Sequence, residues 1–314
     1  MDTRLEPRPD TLTLQAALAE TRKAFLIAVG ELRPRLHRFC ARMCGSPLDG
    51  EDVVQETLAL AFFNLASLKD SSRLEAWLFR IAHNQCISFL RRQKSQEMEP
   101  MPDNVSDATP DHAAAECEFA DEPVDEALAA LVSMLPPMER ACVLLKDILD
   151  YRLGEIAEVV DSTVGGVKAA LHRGREKLRG LQGAQPRARG FERLDANEQR
   201  AQWVLLEAYV DCFNRRDWDA LRQLIQADVR VEVVDMTELR GAEAMSTYFG
   251  RYVALGWEWR LAVSTLGDVP VVVHLERSGP AWVPRAAMRL WWRDGRVTRV
   301  RDYVNIDYLL KDAP

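Results

Sequence analysis

Residues 163–179 are TVGGVKAALHRGREKLR, a stretch with the pattern of an amphipathic helix. Its apolar residues recur at helical spacing and are predicted to form one buried stripe: Val164, Val167, Leu171 and Leu178. A polar and mostly basic stripe comprises Lys168, His172, Arg175 and Arg179. Residues 153–160 form a short amphipathic pattern just upstream, and Thr163 can cap the next helix. Two helices joined by a tight turn, the second of them basic, predict a helix-turn-helix.

The composition is that of an ordinary soluble protein with 47% hydrophobic and 28% charged residues. At 314 residues the chain can form two or three domains, each with its own core. We expect a cytoplasmic protein, because the N-terminus lacks a secretory pattern and no apolar run is long enough to span a membrane. The six scattered cysteines are expected to be reduced and buried, and no cofactor or metal site is predicted.

The net charge of −7 is the average of two opposed segments. Residues 95–126 hold eleven acidic side chains and neither lysine nor arginine, whereas residues 163–189 hold seven basic side chains and one acidic side chain. The overall negative charge therefore does not exclude nucleic acid as a partner.

Composition and periodicity divide the chain into five segments. Helical patterns fill residues 12–94 and 123–181, and a proline-containing acidic linker, predicted to be flexible, occupies residues 95–122. A second linker covers residues 182–197, and the segment 198–314 has the pattern of an α+β domain. In that last segment helices are predicted at 198–213 and 217–226, and strands at 229–235, 257–263, 270–276, 284–294 and 296–304, with a hairpin turn at Asp294-Gly295 between the last two.

The front half closely resembles the extracytoplasmic-function class of bacterial RNA polymerase sigma factors. The stretches GEDVVQETLALAF (50–62) and AWLFRIAHNQCISFLRRQ (76–93) are similar to region 2 of that family. Residues 135–178, which include the helix-turn-helix pattern, are similar to region 4. Both blocks occur in the order of the family, so the resemblance implies a promoter-specificity subunit that binds polymerase core and promoter DNA.

The resemblance also implies roles for individual side chains. The residues expected to bind a basic coiled coil of polymerase core, on an exposed helix face, are Asp52, Gln55 and Glu56. The residues expected to hold phosphates of the opened −10 element are Arg80, Asn84 and Arg91. The residues expected on the −35 side are Lys168, His172, Arg173 and Arg175. Ala169 and Ala170 stand where relatives carry Ser-Arg, which predicts few direct base contacts and tolerance at the −35 element.

The back segment resembles the SnoaL-like members of the ketosteroid isomerase and nuclear transport factor 2 superfamily. The stretches that carry this likeness are AYVDCFNRRDWDALRQLIQADVRVE (208–232), RGAEAM (240–245) and RLWWRDGRVTRVRDY (289–303). The resemblance implies a cone-shaped domain whose apolar pocket can bind a small ligand. The candidates for a proton shuttle in it are Asp235, Tyr248, His274 and Asp302.

The sequence thus predicts two all-α sigma domains followed by an α+β cone-shaped domain, and a sigma factor rather than an enzyme. The back domain is expected to regulate the sigma half, in a direction that the sequence leaves open. Two alternatives remain: a helix-turn-helix regulator that does not join polymerase, and a DNA-binding half fused to an isomerase or cyclase. The block that is similar to region 2 (50–62 and 76–93) separates a sigma factor from the first alternative, because such regulators lack it. An acid–base pair with a raised pKa in the back pocket would favour the second.

Overall fold

The computed structural model describes residues 11–96, 134–180, 196–241, 244, 247–250, 258–267, 269–304, 306 and 308–310. Most of the two predicted linkers, at 95–122 and 182–197, lies outside these residues. The N-terminal bundle consists of α1 (Thr11–Val29), α2 (Arg33–Cys44), α3 (Pro47–Phe63) and α4 (Leu74–Gln96). Short 3-10 turns, Leu65–Ser67 and Ser71–Arg73, join α3 to α4.

The turn between α2 and α3 is built by three consecutive residues. Gly45 ends α2 in the left-handed conformation, with φ of 88°, and its N–H donates to the carbonyl of Ala41. Ser46 then caps α3 by accepting the N–H of Asp49 at 3.3 Å, and Pro47 occupies the first helical position. This compact turn places the first residues of α3 directly beside α2.

The helix-turn-helix unit consists of α5 (Pro137–Val143), a π-helical turn (Leu144–Ile148), α6 (Leu153–Val159) and α7 (Val164–Gly180). The predicted cap is confirmed, since the Thr163 hydroxyl accepts the N–H of Gly166 at 3.1 Å. The prediction that Val164 belongs to the buried stripe is wrong, because its side chain is 42% exposed. Ala170 is buried in the stripe instead, one helical turn before the buried Gly174.

The C-terminal domain begins with α8 (Ala196–Asn214) and α9 (Trp218–Gln223). Its described strands are β1 (Ile225–Val233), β2 (Thr237–Arg240), β3 (Trp259–Leu266), β4 (Val269–Ser278), β5 (Ala281–Arg293) and β6 (Arg296–Asp302). They form one sheet in the order β2-β1-β6-β5-β4-β3, in which only the β1–β6 pair is parallel. Asp294 and Gly295 form the predicted hairpin turn, both with positive φ.

The two faces of this sheet have different neighbours. One face packs on α8 and α9 through an aromatic core: Tyr209, Phe213, Tyr248, Phe249 and Trp259. The other face packs against the start of α3, where the fully buried Leu48 joins Val234, Leu266, Val271 and Tyr303 in one apolar cluster. The N-terminal bundle and the helix-turn-helix unit also share a single apolar core. The predicted fold class is confirmed, and the N-terminal bundle packs against both the helix-turn-helix unit and the C-terminal domain.

Gly50 marks the closest approach of α2 and α3. A Cβ atom at this position would lie 2.5 Å from both the Cα and the N atom of Ala41, so that backbone would have to move. We expect Gly50→Ala to lower the free energy of unfolding by about 1–3 kcal/mol, because overpacking forces the helices apart. Urea denaturation measures this, with Gly154→Ala as the control, since a Cβ there meets nothing within 4 Å. Equal midpoints for both variants would contradict the prediction.

Candidate functional site

The predicted polymerase-binding face of α3 is only partly open. Glu56 is exposed and contacts Arg92 at 3.4 Å, and Gln55 is half-buried and donates to the Glu51 carboxylate at 2.6 Å. The Asp52 side chain is 25% exposed, because the sheet of the C-terminal domain lies against it. The expectation that all three residues share an exposed face is therefore wrong for Asp52.

Basic and aromatic side chains of the sheet contact the acidic start of α3. Arg301 in β6 forms an ion pair with Asp52 at 2.6 Å, and the Tyr303 hydroxyl donates to the same carboxylate at 3.2 Å. Arg289 in β5 pairs with Asp49 at 3.1 Å. These contacts surround the buried Leu48, so the sheet and α3 form a mixed apolar and ionic interface.

A second group of contacts converges on Arg33 at the start of α2. Its guanidinium donates to the Glu51 carboxylate at 2.7 Å, to the Tyr308 hydroxyl at 2.6 Å and to Asp235. The Tyr308 hydroxyl in turn donates to Glu51 at 2.7 Å. Glu51 is completely buried, and these donors offset the cost of removing its charge from water. Asp235, a predicted proton-shuttle candidate, is thus part of the contact between domains.

Burial against the sheet raises the pKa of Asp52 from 3.8 to about 6, although the neighbouring guanidinium of Arg301 opposes this shift. The remaining charges near this carboxyl group are Asp49, Arg289 and Arg299. The desolvation cost of the Asp52 carboxylate therefore exceeds the stabilisation that it gains from the ion pair with Arg301. The docked position favours the protonated form of Asp52 more than water does.

The predicted −10 residues lie along one exposed side of α4. Arg80, Asn84 and Arg91 are all exposed, but Arg80 contacts Asp161 of the helix-turn-helix turn at 3.2 Å. Arg73 pairs with Glu158 of α6 in the same way. A carboxylate of the helix-turn-helix unit therefore occupies Arg80, one of the side chains that the resemblance assigns to promoter DNA.

Buried contacts hold the helix-turn-helix unit on the bundle beneath these surface pairs. Tyr151 is almost fully buried and its hydroxyl donates to Glu75 at 2.5 Å. The guanidinium of Arg140, which is 8% exposed, donates to the backbone carbonyl of Met43 in α2. Separation of the two parts would leave these polar groups to be solvated, so the contact is specific rather than merely apolar.

The predicted −35 residues do not all face the same surface. Lys168, His172 and Arg175 line a groove of about 320 Å³ on the helix-turn-helix unit. The other residues that line this groove are Lys146, Leu153, Leu171 and Arg179. Arg175 is paired with Asp147, and Arg173 instead reaches Glu139 at 2.9 Å.

Two residues of the helix-turn-helix unit, Ala170 and Lys146, differ from what the sequence predicts. Ala170 is 1% exposed, so its small size has no bearing on base contacts, and only the exposed Ala169 supports the predicted tolerance at the −35 element. Lys146 was missed because it precedes the helix-turn-helix pattern, and only the π-helical turn brings it beside the second helix.

The proton-shuttle candidates of the C-terminal domain are dispersed. Tyr248 and Asp302 are buried together, and the Tyr248 hydroxyl donates to the Asp302 carboxylate at 2.7 Å. His274 is buried edge-on to Trp259, and burial lowers the pKa of His274 to about 4, so its imidazole is neutral near pH 7. Tyr248 and Asp302 are thus hydrogen-bonded to each other, whereas Asp235 lies in the contact with Arg33.

The described cysteines are Cys40, Cys44, Cys86, Cys142 and Cys212, and all are buried free thiols, as predicted, while Cys117 lies outside the described residues. Within the described ranges, no group of three or more histidine, cysteine or carboxylate side chains is arranged to hold a metal ion. No helix of the described part of the chain is long and apolar enough to cross a membrane.

Comparison with known families assigns each of the three parts. Residues 28–96 match Sigma-70 region 2, residues 125–178 match Sigma-70 region 4, and residues 206–300 match the SnoaL-like domain. The ECF RNA polymerase sigma factor SigG of Mycobacterium tuberculosis is 30% identical over 254 residues. The chain belongs to the extracytoplasmic-function sigma factors.

The relatives match over different shares of this chain and of their own length. The SigG alignment covers 73% of this chain and 66% of SigG. SigW of Bacillus subtilis is 29% identical over 168 residues, which cover 50% of this chain and 87% of SigW. The crystal structure of the Mycobacterium tuberculosis sigma factor SigJ covers 90% of this chain and 97% of SigJ, with 17% identity and a TM-score of 0.33.

Proposed function

We propose that this chain directs RNA polymerase core to specific promoters, and that its C-terminal domain restrains it by covering the polymerase-binding face of α3. The proposal places its action in the cytoplasm, with polymerase core and promoter DNA as partners. No bond is made or broken by the protein in this role. The domain assignment supports the first part, and the contacts between the sheet and α3 support the second.

One observation carries the regulatory part of the proposal. Asp52 is expected to bind a basic element of polymerase, and its carboxylate is occupied by Arg301 of the same chain. The sheet thus presents to α3 the same kind of charge that the polymerase partner would present. Because the Asp52 carboxylate cannot pair with Arg301 and with polymerase at the same time, docking of the sheet and binding of core compete.

The covalent link between the domains strengthens this competition. A tether of residues 181–195 keeps the sheet near α3 at a high effective concentration, so a modest contact suffices to hold the closed arrangement. Core, or a ligand that favours the open arrangement, shifts the balance only by its difference in affinity for the two states. The free protein is therefore held in the closed arrangement, and polymerase core must displace the sheet from α3 in order to bind.

The decisive experiment is transcription with purified protein and polymerase core at a promoter found by sequencing the bound DNA. Glu56→Lys tests core binding separately from docking, since Glu56 lies on α3 but outside the contact with the sheet. We expect it to weaken core binding at least tenfold, because it places a positive charge against a basic partner. The matched control is Glu31→Lys, an exposed acid outside α3. Unaltered core binding and initiation by Glu56→Lys would reject the role of α3.

Docking of the sheet should depend on pH through Asp52. Its pKa is about 6 when docked and is expected to return to about 3.8 when α3 is exposed, so the docked state binds the extra proton. Protonation of Asp52 therefore stabilises the docked state at low pH, and this stabilisation is lost as the pH rises through about 6. We expect docking to be about fourfold stronger at about pH 5.5 than at about pH 7.5.

Energy transfer between fluorophores on the N-terminal bundle and the C-terminal domain measures docking directly in the full chain. Asp52→Asn is the control, because an amide does not titrate and should abolish this part of the pH dependence. Docking that weakens on acidification of the wild-type chain would contradict the prediction.

A further inference from the structure

A cleft of about 320 Å³ lies where α1, α3 and the C-terminal domain meet. Its walls are apolar and come from the N-terminal bundle: Phe25, Leu26, Leu58, Ala59, Phe62 and Phe63. Its rim is polar and comprises Arg22, Gln55 and Asp235, the last of which belongs to the C-terminal domain. The cleft is therefore complete only while the C-terminal domain is docked on the bundle.

The chemistry of the rim selects the kind of ligand. Arg33 pairs with both Glu51 and Asp235, so its guanidinium draws the Asp235 carboxylate away from the cleft, and among the described residues no carboxylate pairs with Arg22. The Arg22 guanidinium and the second N–H of the Gln55 amide, whose other N–H donates to Glu51, can therefore donate to an anionic head group. A cavity of this size, with apolar walls and few polar groups, suits a small molecule rather than a protein segment.

We propose that this cleft binds a small amphipathic carboxylate, with its apolar body between the aromatic rings and its head group on Arg22. Such a ligand contacts both α3 and the domain that covers it. The docked domain closes one side of the cleft and keeps more of the apolar body of the ligand from water, so the ligand binds the docked arrangement more tightly than the open one and stabilises it by mass action. This consequence rests on the proposed function, in which the docked arrangement excludes polymerase core, whereas binding itself does not.

Calorimetric titration of the full chain with decanoate, below its micelle concentration, tests the site without polymerase. We expect saturable binding of one molecule, at least tenfold weaker in Arg22→Gln, which lacks the charge, and in Ala59→Trp, which fills the cleft. The matched controls are Lys23→Gln and Ala28→Trp, exposed positions of α1 that do not line the cleft. These controls should bind decanoate like the wild-type chain.

Decylamine has the same apolar body with the opposite charge and should not bind. Absence of saturable decanoate binding, equal binding of the amine, or unchanged affinity in Ala59→Trp would overturn the site. Saturating decanoate should also lower the affinity of the wild-type chain for polymerase core. Decanoate binding without this loss would overturn the bridging role, whereas failure of the ligand-free chain to bind core at all would instead reject the proposed function.

Discussion

Replacement of both Arg289 and Arg301 by glutamate is expected to raise the affinity of the full chain for polymerase core at least tenfold. These arginines hold Asp49 and Asp52 of α3 against the sheet. Reversal of their charge converts two partly buried attractions into repulsions, and tenfold corresponds to only about 1.4 kcal/mol. The change leaves the side chains of α3 intact, so we expect the sheet to leave α3 while Gln55 and Glu56, which we propose bind core, stay in place.

Core affinity can be measured by titration of labelled protein with polymerase core. The matched control is Arg293→Glu, since Arg293 is an exposed arginine in β5, the strand that also holds Arg289. Circular dichroism and the thermal midpoint establish that the double variant still folds. A folded double variant that binds core no better than the control would show that the sheet does not restrain α3.

A covalent bridge between Arg80→Cys and Asp161→Cys is expected to abolish promoter-dependent initiation. The two native side chains contact each other at 3.2 Å and both are well exposed, so a short bismaleimide can span the substituted positions. The bridge holds the carboxylate-bearing turn of the helix-turn-helix unit over the side of α4 that we propose binds the −10 element. Promoter phosphates cannot then reach that surface, and the −10 and −35 surfaces cannot separate.

The control for the bridge is the same double variant treated with a monofunctional maleimide. The described native cysteines are buried, and Cys117→Ser removes the thiol that lies outside the described residues. Initiation should fall more than tenfold with the bridge and much less with the monofunctional reagent. Full activity of the bridged protein would mean that this contact persists on the promoter.

The elements of this fold follow closely from local sequence. The helix-turn-helix was predictable because apolar spacing, a threonine cap and a basic stripe all occur within residues 153–179. The hairpin of β5 and β6 was predictable from Asp294-Gly295. Strand β2 was missed, because its four residues, TELR, are too few and too polar to show a strand pattern. The predicted helix 217–226 was too long, since Ile225 already begins β1.

The site was less predictable, because its state depends on contacts between distant segments. Asp52 belongs to a pattern typical of an exposed acidic face, and nothing local indicates that Arg301, about 250 positions away, covers it. Arg80 similarly has the chemistry of a phosphate contact and is held by Asp161. Charge complementarity within one chain resembles charge complementarity with a partner, so sequence alone does not distinguish the two.

The central claim, that the C-terminal domain covers α3 until core displaces it, is tested most directly by a distance within the full chain. Fluorophores at the exposed positions Ser88 in α4 and Ser278 at the end of β4 report the separation of the two domains. The account predicts efficient energy transfer in the free protein and a fall in transfer when polymerase core is added to saturation. Bound core with unchanged energy transfer would contradict it.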